Sequence, residues 1–133
     1  MPMTDQLLSQ VYLKLDGADA PAELLDAVED VCVESSLHLP DMLTLTIYDP
    51  QLRWVDSSSL FIGRAVVVEM KASRQRAKIF DGEIVEVELQ IDGHERRTIV
   101  RAFDRLHRLA RGTRSQALHN VSDADLVRRI AEL

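Results

Sequence analysis

The stretch GEIVEVELQI, residues 82–91, alternates strictly. Val85, Val87, Leu89 and Ile91 fall on one side, and Glu86, Glu88 and Gln90 on the other. A period of two belongs to an extended strand with one face buried and one face wet. That pattern points to an antiparallel sheet, because parallel strands are covered on both faces. Asp92-Gly93 follows at once and supplies the backbone freedom of a tight hairpin. RTIVRAF, residues 97–103, returns as the partner strand. A chain carrying this hairpin is committed to a β-rich fold.

Other segments extend the sheet. VYLKL (11–15) places Val11, Leu13 and Leu15 on one face, and DGADAP (16–21) is a turn. AELLDAVEDVCV carries two periods: Leu24, Leu25, Val28 and Cys32 at helical spacing, Val31 and Val33 at strand spacing. It reads as a helical turn over 22–27 followed by a strand over 28–36. Cys32, flanked by valines, is expected to be a buried and unreactive thiol. Pro40-Asp41 breaks the chain before MLTLTIY (42–48), a strand with Leu43, Leu45 and Ile47 opposite its threonines. DPQLRWVDSSS (49–59) is a loop anchored by Trp54, RAVVVEMKA (64–72) is a strand, and ASRQRAK (72–78) is a polar connection. Strands 42–48 and 97–103 are candidate open edges, able to pair with another chain.

Two helices follow the strands. Asp104 is placed to cap one, and Gly112 to end it in a left-handed conformation. Between them Leu106, Leu109 and Ala110 share a face, while Arg105, Arg108 and Arg111 share the opposite one. This spacing predicts a short amphipathic helix near 104–111. Two turns are not stable alone in water, so Phe103, Leu106 and Leu109 are expected to pack on the sheet. A second amphipathic helix, near 123–132, starts at Ser122 with Asp125 three residues on. Its stripe of Leu126, Val127, Ile130 and Leu133 still runs where the sequence ends, as in a helix cut short or one feeding another domain. The expected fold is mainly β, a β-rich α+β antiparallel domain over residues 1–133.

Charge is unevenly spread. The net charge is -6, yet residues 1–60 hold 11 acids against 2 bases, and residues 61–133 hold 14 bases against 11 acids. Seven arginines and no lysine fall between Arg96 and Arg114. A nucleic-acid grip could set them on phosphates. Single-strand binders, however, interleave exposed aromatics, and alternation turns Phe103, the aromatic here, toward the core. Arginine without lysine suits planar pairing with carboxylates at protein interfaces. Arg101, Arg105, Arg108, Arg111 and Arg114 are therefore assigned to a protein interface, with the acidic half of a neighbouring subunit or partner as complement. An arginine-rich nucleic-acid-binding module is the alternative.

No catalytic constellation emerges. His38, His94, His107 and His119 lack a metal-ligand spacing. Cys32 has no base nearby in sequence, Ser57-Ser58-Ser59 reads as solvated loop, and the glycines form no phosphate-binding loop. Glu86 and Glu88 are spaced by strand alternation. No enzymatic activity, metal, cofactor or small-molecule substrate is expected. No apolar run approaches the about 18 residues of a membrane span. The first residues lack a basic-then-apolar leader, so synthesis in the cytoplasm without a signal peptide is expected.

Three segments taken together, FDGEIVEVE (80–88), VRAFDRLHRLARGTR (100–114) and NVSDADLVRRIA (120–131), resemble the phage late control protein D family. That family is related to the valine-glycine-repeat spike proteins of type VI secretion and to hubs of extracellular contractile injection systems. The matching positions begin with Phe80, Asp81, Gly82 and Glu83, and continue with Phe103, Asp104 and Arg105. His107, Arg108, Leu109, Arg111 and Gly112 follow, then Asn120, Ser122, Asp123 and Asp125. Pro40 before a strand ending at Asp49 also fits. The resemblance spans residues 28–131 and is strongest from residue 80.

It implies a tail-tube-like antiparallel β-barrel in a trimeric baseplate hub. Two barrels per chain would form a pseudo-six-fold ring that adapts the hexameric tail tube to a three-fold spike. The implied partners are further copies in a homotrimer, tail tube and baseplate proteins, and the spike tip; nucleic acid is not among them. No catalysis is implied for the barrels. Family members continue into a second barrel, an oligosaccharide-binding-like domain and a needle. The sequence is thus expected to be the N-terminal hub part of a longer spike protein or a reduced hub. Its place would be a tail-like injection particle or virion tail.

Overall fold

The computed structural model describes residues 10–72, 74–113, 115 and 117–132. Among them seven strands form one antiparallel sheet. They are β1 (Gln10–Leu15), β2 (Ala18–Asp19), β3 (Val28–Glu34), β4 (Met42–Tyr48), β5 (Ala65–Ala72), β6 (Gln75–Asp92) and β7 (Glu95–Phe103). Helix α1 (Ala22–Ala27) precedes β3; a 3-10 helix (Arg105–Arg111) and helix α2 (Asp123–Ala131) follow β7. The strand order is β2-β1-β5-β6-β7-β4-β3.

The 18-residue strand β6 shapes this sheet. Its first half pairs with β5, from Ala72↔Gln75 to Ala65↔Glu83. Its second half pairs with β7, from Glu83↔Phe103 to Asp92↔Glu95. The register shifts between Ile84 and Glu86, which leaves Val85 as an extra residue. A bulge of this kind bends a strand, and a bent strand can serve two halves of a curved sheet. Both halves then face one core. Leu13, Leu15, Val66, Val68, Phe80 and Ile84 meet Leu43, Leu45, Ile47, Val100 and Ala102 there, with Leu24, Trp54 and Leu60 closing the ends. The sheet curls around this core without closing into the expected barrel, since the hydrogen-bonded order ends at β2 and β3.

Gly82 sits just before the bulge. A Cβ at this position would overlap the Phe103 carbonyl and the Phe80 ring. The close approach of two backbones therefore requires glycine. A second support is the buried carboxylate of Asp49, at the end of β4. Its Oδ1 accepts from the Arg53 amide at 2.6 Å. Its Oδ2 accepts from the amides of Trp54 and Val55 at 2.9 and 3.1 Å, and from Thr98 Oγ1 at 2.9 Å. These bonds wind the 49–55 loop so that Trp54 reaches the core.

Helix α1, strand β4 and the Asp92-Gly93 hairpin lie where the sequence places them, with Gly93 at φ 62°. Several expectations are corrected. Residues 75–78 belong to β6 rather than to a polar connection; both faces of this arm are wet, so no apolar period marks it. Strands 42–48 and 97–103 lie inside the sheet, because β4 pairs with β3 and β7, and β7 pairs with β4 and β6. Cys32 is exposed: it pairs across from Thr44, while its valine neighbours turn inward. Alternation that buries Val31 and Val33 must expel the residue between them. The apolar face of β6 is buried only as far as Val87, and Leu89 and Ile91 are exposed where the hairpin runs past the core.

Gly82→Ala is expected to cost about 2 kcal/mol through overpacking against the Phe103 backbone. Asp49→Ala is expected to cost about 3 kcal/mol by leaving buried donors unpaired. Urea unfolding measures both, and for Asp49→Ala a red shift of Trp54 fluorescence should accompany the loss.

Candidate functional site

The arginine-rich segment meets its carboxylate inside the same chain. Glu83 lies at the middle of β6, across from Phe103, and is buried. The bulge at Val85 keeps Glu83 on the same face of the sheet as Glu86 and Glu88. Arg108 donates to Glu83 Oε1, and Arg105 Nε lies 4.0 Å from the same oxygen. His107 Nε2 is 3.8 Å from Oε2 and has no hydrogen-bond partner among the described residues. The His107 ring is tilted over Phe103 at 6.1 Å between centroids.

The local structure explains this arrangement. A 3-10 helix has three residues per turn, so side chains three apart line up in rows. One row is Arg105, Arg108 and Arg111; another is Leu106 and Leu109; the third is His107 and Ala110. The His107 row faces the sheet, and His107 is the buried residue of this helix. The expected packing of Leu106 and Leu109 is therefore corrected: they are 48% and 54% exposed. A 3.6-residue period would have turned them inward; the tighter winding does not. Phe103 likewise points away from the core that Val100 and Ala102 enter, and packs under the helix.

Asp104 fixes the entry. Its Oδ1 accepts from the Leu106 amide at 3.0 Å, as an N-cap should. Its Oδ2 accepts from the Asp41 amide at 3.0 Å, and its own amide donates to the Asp41 carbonyl at 3.0 Å. The start of β4 and the end of β7 are thereby tied to the helix. Gly112 is extended, at φ -165°, instead of left-handed. A 3-10 helix that runs out into extended chain has no left-handed cap to fill.

The remaining predicted residues lie elsewhere. Arg101 bridges Glu88 at 2.7 Å and Glu86 at 3.1 Å across the β6–β7 ladder. The Glu88 hydrogen bond, its strongest influence, pushes the Arg101 guanidinium above its ordinary pKa. Arg111 has no ion-pair partner among the described residues, and Arg114 lies outside them. Asp81 pairs with Lys78 at 3.0 Å. Asn120 takes φ 55°, a conformation asparagine tolerates, shortly before α2. Ser122 Oγ accepts from the Asp125 amide at 3.2 Å and donates to Asp125 Oδ2 at 2.9 Å, forming the expected cap of α2.

Two grooves flank the 3-10 helix. One, of about 1100 Å³, runs between it and α2; Leu106, Leu109 and Ile130 line it together with Arg105, Arg108 and Arg111. The other, of about 510 Å³, is lined by Leu39, Pro40, Met42, Phe103 and His107 among others. The site holds arginines on a buried carboxylate and turns leucines to the surface. Among the described residues no three His, Cys, Asp or Glu side chains converge on a metal position. No described helix is long and apolar enough to cross a membrane.

Sequence reasoning carried Glu83 only as part of a motif and assigned it no role. Strict alternation puts position 83 on the side of Val85 and Val87, and only the bulge reverses that parity. The available signal was an acid at an apolar position beside a glycine.

Glu83→Gln, which keeps the volume and removes the charge, is expected to loosen the 3-10 helix. Amide exchange at residues 105–111 should accelerate, with a stability loss of about 1 kcal/mol, held down by solvent screening of the exposed arginines. Unchanged exchange there would refute this role of Glu83.

No protein-family model matches the chain, and no curated protein matches it in sequence. Its fold is similar to the crystal structure of a 43 kDa tail protein of prophage MuSo2 from Shewanella oneidensis, with a TM-score of 0.57 and 13% identity. The likeness covers 82% of this chain and 31% of that one, so the chain spans about a third of the tail protein's length. At this identity the similarity is one of fold.

Proposed function

We propose that the chain is a structural component of a phage tail or tail-like particle. One observation carries the reading: over 82% of its length the chain has a fold similar to that of a prophage tail protein. The finer reading is a baseplate hub of a contractile injection system, adapting a hexameric tail tube to a trimeric spike. It is supported by the motif set around Phe80–Glu83, Phe103–Gly112 and Asn120–Asp125.

The geometry suits a part that must hold its shape under mechanical stress. Arg97 bridges Glu29 on β3 and Glu95 on its own strand, each at 2.7 Å, and Arg101 bridges Glu86 and Glu88 of β6. Such exposed pairs contribute little stability singly; together they keep a hydrated sheet face in register. Arg97 and Arg101 are each matched by two carboxylates of the same chain, which weakens the case for phosphate binding at these two positions. In this reading the chain works without catalysis, as a homotrimer in contact with tube, baseplate and spike-tip proteins.

Tail particles purified from a producing strain that carries an epitope-tagged copy should contain the chain. Light scattering of the purified chain together with its tail partners should give a trimer of this chain. Particles that lack the chain would overturn the tail reading, and a strict monomer within assembled particles would overturn the hub reading.

A further inference from the structure

We propose that the groove between the 3-10 helix and α2 seats the acidic β3 edge of a second copy of this chain. The floor of the groove is apolar: Leu106, Leu109 and Ile130 line it, each between 41% and 54% exposed. Its rim is basic. Arg105 and Arg108 share the single charge of Glu83, and Arg111 has no ion-pair partner among the described residues. The rim thus keeps positive charge that the described residues do not neutralise. An acidic segment that also carries apolar side chains fits such a groove.

The chain itself holds that segment. Residues 22–34 carry Glu23, Asp26, Glu29, Asp30 and Glu34 and no base. Glu23 and Glu29 are taken by Arg53 and Arg97. Asp26, Asp30 and Glu34 have no ion-pair partner among the described residues, and Asp30 and Glu34 are exposed. Leu37 and Leu39 follow at once, 96% and 66% exposed. Acid and leucine therefore lie side by side on one contour, as arginine and leucine do in the groove. Strand β3 also ends the sheet, so one side of its backbone is unpaired and open to a neighbour. Each copy offers one groove and one edge, which lets contacts propagate from copy to copy or close on themselves. The inference rests on the assembly reading above only in needing copies that meet, and it assigns no stoichiometry.

Sedimentation equilibrium over a concentration series tests it, on the wild-type chain and on three surface variants checked for fold by circular dichroism. Arg111→Glu, Leu109→Asp and the pair Asp30→Lys with Glu34→Lys should each weaken self-association about tenfold. Mixing Arg111→Glu with the lysine pair should restore part of the loss, because each supplies the charge the other now lacks. Wild-type chain that remains monomeric overturns the proposal, as do variants that all associate like the wild type. Because Arg111 and the two acids are exposed, the charge variants remain decisive if Leu109→Asp fails to fold. Incorporation into tail particles is measured separately, so that reading can stand while this interface falls.

Discussion

The bulge at Val85 is the constraint from which the rest follows. One extra residue lets β6 leave β5 and take up β7 without breaking the strand. The two halves of the sheet then turn toward each other over a shared core. The same residue reverses the parity of β6, so Glu83 leaves the apolar side and joins Glu86 and Glu88 on the polar one. Gly82 makes the turn sterically possible, because any Cβ there meets the Phe103 backbone. Bend, glycine and buried carboxylate form one structural unit.

The unit decides where the 3-10 helix lands. A carboxylate buried without partners is costly, and pairing it with guanidinium groups offsets part of that cost. Arg105, Arg108 and His107 gather at Glu83, and Asp104 ties the helix to Asp41 at the start of β4. Holding the helix by its charged and histidine rows leaves the leucine row outward. Exposed apolar surface of this kind marks a candidate contact site. Asp49, the other buried carboxylate, is matched by four hydrogen bonds and is spent on holding its loop.

Much of the sheet is legible in the residues themselves. Val11, Leu13 and Leu15, the MLTLTIY strand and the Asp92-Gly93 hairpin all announce themselves by period and turn chemistry, because local sterics and one-sided burial act residue by residue. The Ser122 cap of α2 is legible for the same reason. The site is legible only in part. Its arginines and Asp104 stand out, but not the partner they serve, since Glu83 lies 22 residues before Arg105 and on the wrong parity until the bulge is known.

What the sequence determined alone is most of the strands, the Asp92-Gly93 hairpin, the Asp104 and Ser122 caps, and the split between an acidic first half and a basic second half. Tertiary structure alone decided which strands stand at the edges, that the leucines at 106 and 109 face outward, and that the arginines meet a carboxylate of their own chain. The physical reason is the range of the forces involved. Alternation and capping depend on neighbours a few residues apart, whereas strand order, bulge placement and charge pairing depend on what the whole chain brings together around one core.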